Sequence, residues 1–282
     1  MISIVIPTLN NFERLKDCLL ALEAQDYPRE KMEIIVVDNG STDGSQEYLN
    51  QGDYVLLIEA EKSPYKARNK GILAAKHDII ALLDSNCKPR KQWVSAGLKT
   101  LAMTENDIVC GPINFTFSNP PTITEIADSM VFVSNKVSVE DGKSIPTGQL
   151  FTTKKVFTEV GLFMDKIRSG GDIEWSERAT KIGFKLGYAS EAIVNYPAKK
   201  YKNFIKKGKR IGKGRVQMRN LKNKSKGISW WIHTLIISRP PSPFSLRRRL
   251  INNKIKLNPF QFIRVWWMTW VYRLVRGYNM IR

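Results

Sequence analysis

The sequence has few of the features that secreted or membrane-spanning proteins need. It contains three cysteines, Cys18, Cys87 and Cys110, an odd number without metal-type spacing. This argues against a disulfide framework and a structural zinc site, and it predicts a reducing compartment. No uncharged apolar run reaches the roughly 20 residues that a spanning helix requires. The chain opens on the apolar run 2–6 rather than on a signal-peptide pattern, so we expect a cytoplasmic protein.

Acidic residues are missing from the C-terminal part of the chain. Residues 1–198 contain 22 Lys and Arg against 26 Asp and Glu, whereas residues 199–282 contain 23 Lys and Arg and no acid. The net charge of +19 therefore arises entirely after residue 198. We predict two regions, a globular domain over 1–198 and a basic, Trp-rich helical region over 199–282.

The basic region predicts an anionic partner. Basic runs are typical of proteins that bind nucleic acids or anionic lipids, and charge alone does not decide between these. Five of the seven tryptophans follow Ser229, and tryptophan favours the membrane interface. We therefore predict that residues 199–282 lie in the plane of an anionic membrane on its cytoplasmic face, with no nucleic acid as partner. The alternative is a helical cap over the first region with solvated lysines.

Short apolar runs rich in β-branched residues alternate with helical patterns at the start of the chain. The runs lack polar alternation, as expected for parallel strands covered on both faces. Between the first two runs, Leu15, Leu19 and Leu22 share one helix face. These patterns predict a doubly wound α/β fold with a mostly parallel sheet and helices on both faces. The predicted strands cover residues 2–7, 33–38, 54–60, 78–84 and 107–113.

Small polar residues follow three of these strands. They are residues 8–10, 38–41 and 84–86. In doubly wound sheets, ligands bind beyond the carboxyl ends of the strands. Neither a glycine-rich dinucleotide fingerprint nor a Walker phosphate loop is present, so a bound nucleotide is held in another way.

Five segments occur in the same order in a known enzyme family. They are IPTLN at 6–10, VVDNGSTDGS at 36–45, ARNKG at 67–71, LLDSN at 82–86 and GGDIEW at 170–175. Together they resemble the family 2 glycosyltransferases over roughly residues 2–200. The resemblance implies that residues 1–198 form a GT-A domain that transfers a sugar from a nucleotide diphosphate donor with inversion.

The resemblance also implies where the donor binds. Thr8 and Asp38 correspond to residues that contact the base and ribose, usually of uridine, and Arg68 to one that meets the nucleotide or its phosphates. From the residues alone, Asp38 is as well explained by an Asx-turn, and Arg68 by a solvated helix position. The other residues that we assign to donor binding are Pro7, Asn10, Asn39, Asp84 and Ser85.

Asp84 and Asn86 occupy the position of the family's Asp-x-Asp motif, which implies a Mg²⁺ or Mn²⁺ site at the diphosphate. The second carboxylate is an amide in this chain, and Tyr196 stands where the family often has a metal-binding histidine. These departures leave three alternatives open. The first is a metal held mainly by Asp84 and the diphosphate, the second is a site in which Lys or Arg replaces the metal, and the third is an inactive enzyme.

The general base is the next assignment that the resemblance implies. Asp172 matches the family's catalytic aspartate, which removes the proton of the acceptor hydroxyl. Gly171 replaces the acidic residue that often precedes it, and Glu174 is the second candidate for the base. A structural role is open as well, because an acid at a helix start interacts favourably with the helix dipole.

The floor between donor and acceptor completes the predicted site. Residues 147–151 resemble the family segment at this place, with Gly148 and Gln149 near the sugar. Trp175 is either a sugar platform or a core residue, since it shares a helix face with Ala179 and Ile182.

We predict a peripheral membrane enzyme of polysaccharide biosynthesis. We expect it to transfer a sugar from a UDP-sugar to a glycan or a lipid-linked acceptor. Two rival functions are a catalytically impaired scaffold that keeps the fold, and a nucleic-acid-binding protein that uses the basic region.

Overall fold

The computed structural model describes residues 1–103, 105–142, 144–146, 148–167, 169–221 and 227–281. The strands are β1 Ile2–Thr8, β2 Met32–Asp38, β3 Val55–Ile58, β4 Ile79–Leu83, β5 Lys88–Pro89, β6 Ile108–Cys110, β7 Ile113–Thr116, β8 Gln149–Thr153, β9 Leu186–Tyr188 and β10 Val194–Pro197. The helices are α1 Phe12–Glu23, α2 Ser45–Leu49, α3 Pro64–Ala74, α4 Trp93–Leu101, α5 Ile123–Val131, α6 Asn135–Glu140, α7 Lys154–Val160, α8 Gly171–Lys181, α9 Tyr201–Leu221, α10 Ile228–Ser238, α11 Pro243–Asn252 and α12 Pro259–Ile281.

The first compact unit contains residues 1–114, 133–167 and 171–196, and it is built on a seven-stranded sheet. The strand order is β3-β2-β1-β4-β8-β6-β9. Four neighbouring pairs are parallel, and only β8 runs antiparallel to its neighbours β4 and β6. The predicted doubly wound, mostly parallel α/β sheet is confirmed. The sequence did not indicate the reversed direction of β8.

Helices cover both faces of this sheet. Ile4 and Ile6 of β1 belong to the same buried cluster as Leu15 and Leu19 of α1. The next residue, Val5, faces the opposite side, where a Cβ on Gly71 of α3 would lie only 2.3 Å from it. Because successive side chains of a strand point to opposite faces, α1 and α3 lie on opposite faces of the sheet. This confirms the predicted layers.

One predicted strand is two strands in the structure. The sequence predicted a single strand over 107–113, but β6 ends at Cys110 and β7 begins at Ile113. Pro112 has no backbone N–H to donate to a ladder. Gly111 lies so close to the backbone of Ala192 that a Cβ on this glycine would be 2.0 Å from the Ala192 carbonyl oxygen. These two residues interrupt the strand.

The second compact unit contains residues 115–132, 168–170 and 197–282. Helices α5, α9, α11 and α12 enclose a core in which the rings of Phe204 and Tyr272 stack 4.9 Å apart. Asp128 of α5 is fully buried and accepts a hydrogen bond from Lys207 Nζ at 2.7 Å. The basic region is therefore helical, as predicted, and it shares a core with residues 115–132. No helix among the described residues is long and apolar enough to cross a membrane.

Candidate active site

Two buried polar groups meet at the carboxyl ends of β1 and β2. Thr8 and Asp38 are opposite each other in the parallel register and are almost completely buried. Asp38 Oδ1 accepts hydrogen bonds from the backbone N–H of Gly40 and Ser41, each at 2.6 Å. Asp38 Oδ2 and Thr8 Oγ1 have no hydrogen-bond partner. Unsatisfied buried polar atoms are costly, so this pair is suited to a ligand with hydrogen-bonding groups.

The neighbouring loop residues shape this end of the sheet. Asn10 has a left-handed backbone, with φ at 47°, and its Oδ1 accepts a hydrogen bond from Thr42 N at 2.8 Å. Asn39 Nδ2 donates to the carbonyl oxygens of Glu59 and Glu61 at 3.2 and 2.9 Å. Pro7 is buried within β1. Among these residues predicted to bind the donor, Asn10 alone is exposed, and Asn39 uses its amide to hold the loop.

A buried cation lies beside the end of β4. Arg68 of α3 is 6% exposed, and its Nη2 donates a hydrogen bond to Asp84 Oδ1. Its Nε is buried and has no partner. Burial disfavours the charged guanidinium, but Asp84, Tyr65 and Asp172 favour it, and the net effect raises the pKa of Arg68. Arg68 is therefore a buried cation with a fixed position, and the alternative of a solvated helix residue is wrong. Its role toward the nucleotide stays a prediction.

The residues predicted to hold a metal do not form a cation site by themselves. Asp84 is the single carboxylate present and is already paired with Arg68. Asn86 Oδ1 lies 4.0 Å from Cys87 Sγ, and Ser85 Oγ accepts from Asn11 Nδ2 at 3.1 Å. In the described part of the chain, no three His, Cys, Asp or Glu side chains are grouped in a way that could hold an ion. One carboxylate and one amide oxygen do not hold a divalent cation alone, since Mg²⁺ is usually bound by one or two carboxylates together with substrate phosphates and waters.

Asp172 stands at the start of α8 and is held by a tyrosine. Tyr65 Oη donates a hydrogen bond to Asp172 Oδ1 at 3.1 Å and accepts one from Gly171 N at 3.0 Å. The Asp172 side chain is half-buried. A half-buried carboxylate with a fixed orientation is suited to accept a proton.

Tyr65 connects the two charged parts of the site. Its ring centre is 5.5 Å from the guanidinium carbon of Arg68. Burial, reinforced by the charge of Asp172, raises the pKa of Tyr65, so the phenol stays protonated and donates to the carboxylate. Asp84, Arg68, Tyr65 and Asp172 thus form one continuous set of contacts. Sequence reasoning missed Tyr65, because a tyrosine on a crossover helix is usually a core residue.

Two residues of α8 were wrongly assigned to the site, because their side chains are buried and held by other groups of the protein. Glu174, the second candidate for the base, is 3% exposed, and both its carboxylate oxygens accept from Arg178 Nε, at 3.1 and 3.2 Å. Trp175 is fully buried and packs on Phe157 and Phe163, with ring centres 4.8 and 5.2 Å away. The core alternative for Trp175 is therefore the right one, since neither ring face is open to a sugar.

The predicted floor is only partly available to a ligand. Gln149 is fully buried, and its amide is used by Trp93 Nε1 and the Pro112 carbonyl, each at 2.7 Å. A direct contact of its side chain with a sugar is therefore excluded. A Cβ added to Gly148 would still be 3.9 Å from Asp84 Oδ2, so this glycine borders the space beside Asp84. Thr147 lies outside the described residues.

The structure brings the main predicted residues to one edge of the sheet. Strands β2, β1 and β4 are neighbours, and Asp38, Thr8 and Asp84 stand at their carboxyl ends. Arg68 and Asp172 reach the same edge from α3 and α8 through the contacts described above. This is the edge where open α/β sheets bind ligands.

The order of the strands and the helices on both faces are those of the GT-A fold. Residues 3–158 match the family model described as Glycosyl transferase family 2, and the chain belongs to that family and is a glycosyltransferase. It is 34% identical to Glycosyltransferase AglE of Haloferax volcanii, over 98% of this chain and 93% of that protein.

Solved structures show the same fold at low sequence identity. The mannosyltransferase PcManGT from Pyrobaculum calidifontis, in complex with GDP-Man and Mn²⁺, superposes with a TM-score of 0.65 at 15% identity, over 99% of this chain and 86% of that one. S. aureus TarS 1–349 in complex with UDP-GlcNAc gives 0.57 at 16% identity, over 78% and 66%. These likenesses support the fold assignment.

Proposed function

We propose that this glycosyltransferase transfers a sugar from a UDP-sugar to a hydroxyl of a glycan or lipid-linked acceptor, with inversion, and that Asp172 is the general base. One observation carries the proposal. The contacts from Asp172 through Tyr65 and Arg68 to Asp84 link a possible base to the strand end where a donor diphosphate would lie.

The unsatisfied atoms at β1 and β2 provide the nucleoside subsite. Asp38 Oδ2 accepts hydrogen bonds only, so it is suited to an N–H of the base or an O–H of the ribose. Thr8 Oγ1 can donate or accept beside it. TarS has been solved with UDP-GlcNAc and PcManGT with GDP-Man, so both nucleotides belong in a donor screen.

The transfer itself needs one base and a stabilised leaving group. The acceptor oxygen attacks the anomeric carbon and forms the new glycosidic bond. The bond from that carbon to the diphosphate oxygen breaks, and its electron pair leaves with the nucleoside diphosphate. The proton of the acceptor hydroxyl passes to Asp172, which must lie within about 3 Å of it. Tyr65 fixes the carboxylate in position for this step.

The positive charge at the diphosphate comes from Arg68 in this proposal. The guanidinium is buried, keeps its Nε–H unpaired and sits at the end of β4. Because an arginine presents several fixed hydrogen-bond donors and a positive charge, it can bind phosphate oxygens in place of a metal ion. PcManGT was solved with Mn²⁺. We assign this role to Arg68 because its Nε–H has no partner, although Nη2 is paired with Asp84.

The basic region supports the location that we propose. Residues 199–282 carry 23 Lys and Arg and no acid. Basic surfaces bind anionic leaflets, at about 1 kcal/mol for each basic residue near the surface. We propose that the enzyme lies on the cytoplasmic face of a membrane, where it would meet a lipid-linked acceptor.

Replacement of the base tests the proposal. Asp172→Asn keeps the shape of the side chain but cannot accept the proton, so we expect a decrease in kcat of about 10²- to 10⁴-fold, the usual contribution of a general base. Binding of UDP, measured by calorimetry, should stay unchanged. Glu177→Gln is the matched control, since Glu177 is another carboxylate on α8.

Two results would contradict the proposal. Full activity of Asp172→Asn would remove the residue from its role. A wild-type chain that binds UDP but transfers no sugar with any donor and acceptor in the screen would favour the scaffold function. Salt-sensitive binding to nucleic acid that does not depend on Asp172 would favour the remaining rival.

A further inference from the structure

Exposed apolar side chains are concentrated near the C-terminus. Of the 25 large hydrophobic residues that are exposed in the described structure, 13 follow Gly227. Single exposed apolar residues are ordinary, but a contiguous group usually marks a binding surface. Most of these 13 lie on α10 and α12.

Helix α12 turns its apolar stripe away from the core. Val265, Thr269 and Tyr272 are buried in the second unit. Exposed apolar residues recur on another side of the helix at the spacing of one helical face. They are Phe260, Ile263, Trp267, Leu274 and Tyr278. A surface helix normally shows polar residues there, so this stripe needs another explanation.

Helix α10 also has one buried side and an exposed side with many apolar residues. Thr234 is buried against α12, where its carbonyl oxygen would be 3.7 Å from a Cβ on Gly277. Five of the seven exposed residues of the helix are apolar. They are Ile228, Trp231, Ile232, Leu235 and Ile236. Such a side is unfavourable in water unless something covers it.

The two stripes face the same direction. Trp266 Nε1 donates to the Pro241 carbonyl at 2.7 Å, and Trp270 Nε1 to the Ser238 carbonyl at 3.0 Å, so residue numbers rise on α12 as they fall on α10. The helices are therefore antiparallel. Successive residues of a helix are rotated by about 100° about its axis. Around the axis of α12, the centre of its stripe lies about 70° from the direction that points to α10, and around the axis of α10 its stripe lies about 120° from the direction that points to α12. Both rotations have the same sense along the chain, and because the helices are antiparallel, they bring the two stripes to the same side of the helix pair.

Positive charges border this double stripe. Arg239 follows α10, Lys254 and Lys256 precede α12, and Arg264 lies on α12 with its guanidinium 5.6 Å from the Phe260 ring centre. No acidic residue occurs after residue 198. An apolar stripe with tryptophan and a cationic border is the pattern of a helix that lies in a membrane interface.

We infer that α10 and α12 together form a docking face that lies flat on an anionic lipid bilayer, with both apolar stripes inserted among the lipids. This inference rests on the membrane contact of the proposed function and names the surface that makes it. It does not depend on the sugar chemistry, because Asp172 and Arg68 belong to the other compact unit.

The charge pattern favours a bilayer over two other occupants. A second copy of the chain that docks through the same face would bring two cationic borders together without any acid to pair them. A nucleic acid would need cations at the centre of the surface, where its phosphates would lie. Here the centre is apolar and the cations are peripheral.

Vesicle flotation tests the docking face directly. The full chain is mixed with vesicles of equal parts phosphatidylcholine and phosphatidylglycerol, and its partition coefficient is measured. The double variant Leu235→Gln/Ile263→Gln removes apolar surface from both stripes without changing the charge. The matched control is Leu73→Gln/Ile182→Gln. The two pairs are equally open to solvent, at 65% and 60% for the stripe residues and 72% and 58% for the control residues.

The expected result is a loss of at least about tenfold in the partition coefficient of the stripe variant, because two inserted side chains lose apolar contact. The control variant should bind like the wild type. Equal binding of both variants would overturn the docking face while leaving the membrane contact intact. A wild-type chain that stays with the aqueous phase, or that binds nucleic acid instead, would overturn both the face and the membrane contact. Circular dichroism shows whether both variants are folded.

Discussion

The hydroxyl of Tyr65 provides the most specific test of how the base is held. Tyr65→Phe removes this hydroxyl and keeps the ring, which lies 5.8 Å from that of Phe163. The change deletes the donor to Asp172 Oδ1 and leaves the Gly171 N–H without its partner. A hydrogen bond to a charged group is worth about 1.5–3 kcal/mol. If that energy fixes the carboxylate during transfer, kcat decreases about 10- to 100-fold.

The split between kcat and KM distinguishes positioning from simple destabilisation. Loss of the hydroxyl should lower kcat, because the carboxylate is no longer held in one orientation. KM for the donor should change little, because the proposed nucleoside subsite is formed by other residues. The assay is steady-state transfer with a saturating acceptor at several donor concentrations. Tyr188→Phe, which removes a half-buried hydroxyl elsewhere, is the control. An unchanged kcat, or equal changes in Tyr65→Phe and the control, would refute the positioning role.

The remaining predictions concern donor binding, charge and stability. Asp38→Asn keeps an acceptor for the Gly40 and Ser41 N–H groups but loses the charge, so the Kd for UDP should rise about 10- to 100-fold in calorimetry; an unchanged Kd would place the nucleoside elsewhere. Arg68→Lys should weaken binding of UDP more than that of uridine, because a lysine cannot present the same fork of donors, and equal losses for both ligands would contradict the phosphate role. Transfer should persist in EDTA, because the proposal assigns the positive charge at the diphosphate to Arg68, and complete loss that Mn²⁺ restores would show that a metal is required. Burial, the largest cause, raises the pKa of Tyr272 to about 12, so the folded state disfavours deprotonation of the phenol. The contribution of this group to the free energy of unfolding is fully present below its pKa in the unfolded chain, about 10, and decreases above it. Tyr272→Phe should flatten that decrease, as measured by chemical unfolding.

The sheet was predictable because its strands are continuous apolar runs. Each run had to be covered on both faces, and this implies a parallel sheet with helices around it. The direction of β8 could not be predicted, since a buried strand has the same side-chain pattern in either direction. The break at Gly111 and Pro112 was visible as residue types. It was obscured by the apolar residues on both sides.

The site was predictable where residues follow strand ends. The sequence predicted that Thr8, Asp38 and Asp84 lie at one edge because they stand at strand ends, and the structure places them there. Their roles in donor binding stay predictions. Glu174 and Trp175 were misassigned, since spacing on a helix does not show which face is buried. Tyr65 was missed for a related reason. Its role depends on a contact with a residue 107 positions away, and no local pattern encodes such a contact.

The stereochemistry of the product tests the central claim most directly. If Asp172 deprotonates an acceptor that attacks the anomeric carbon in one step, the new linkage has the configuration opposite to that of the donor. The anomeric proton coupling of the product, followed by nuclear magnetic resonance during transfer from an α-linked UDP-sugar, should show only the β-linkage. An α-linked product would mean that the configuration is retained, and it would contradict a mechanism in which Asp172 acts as the base of a single displacement.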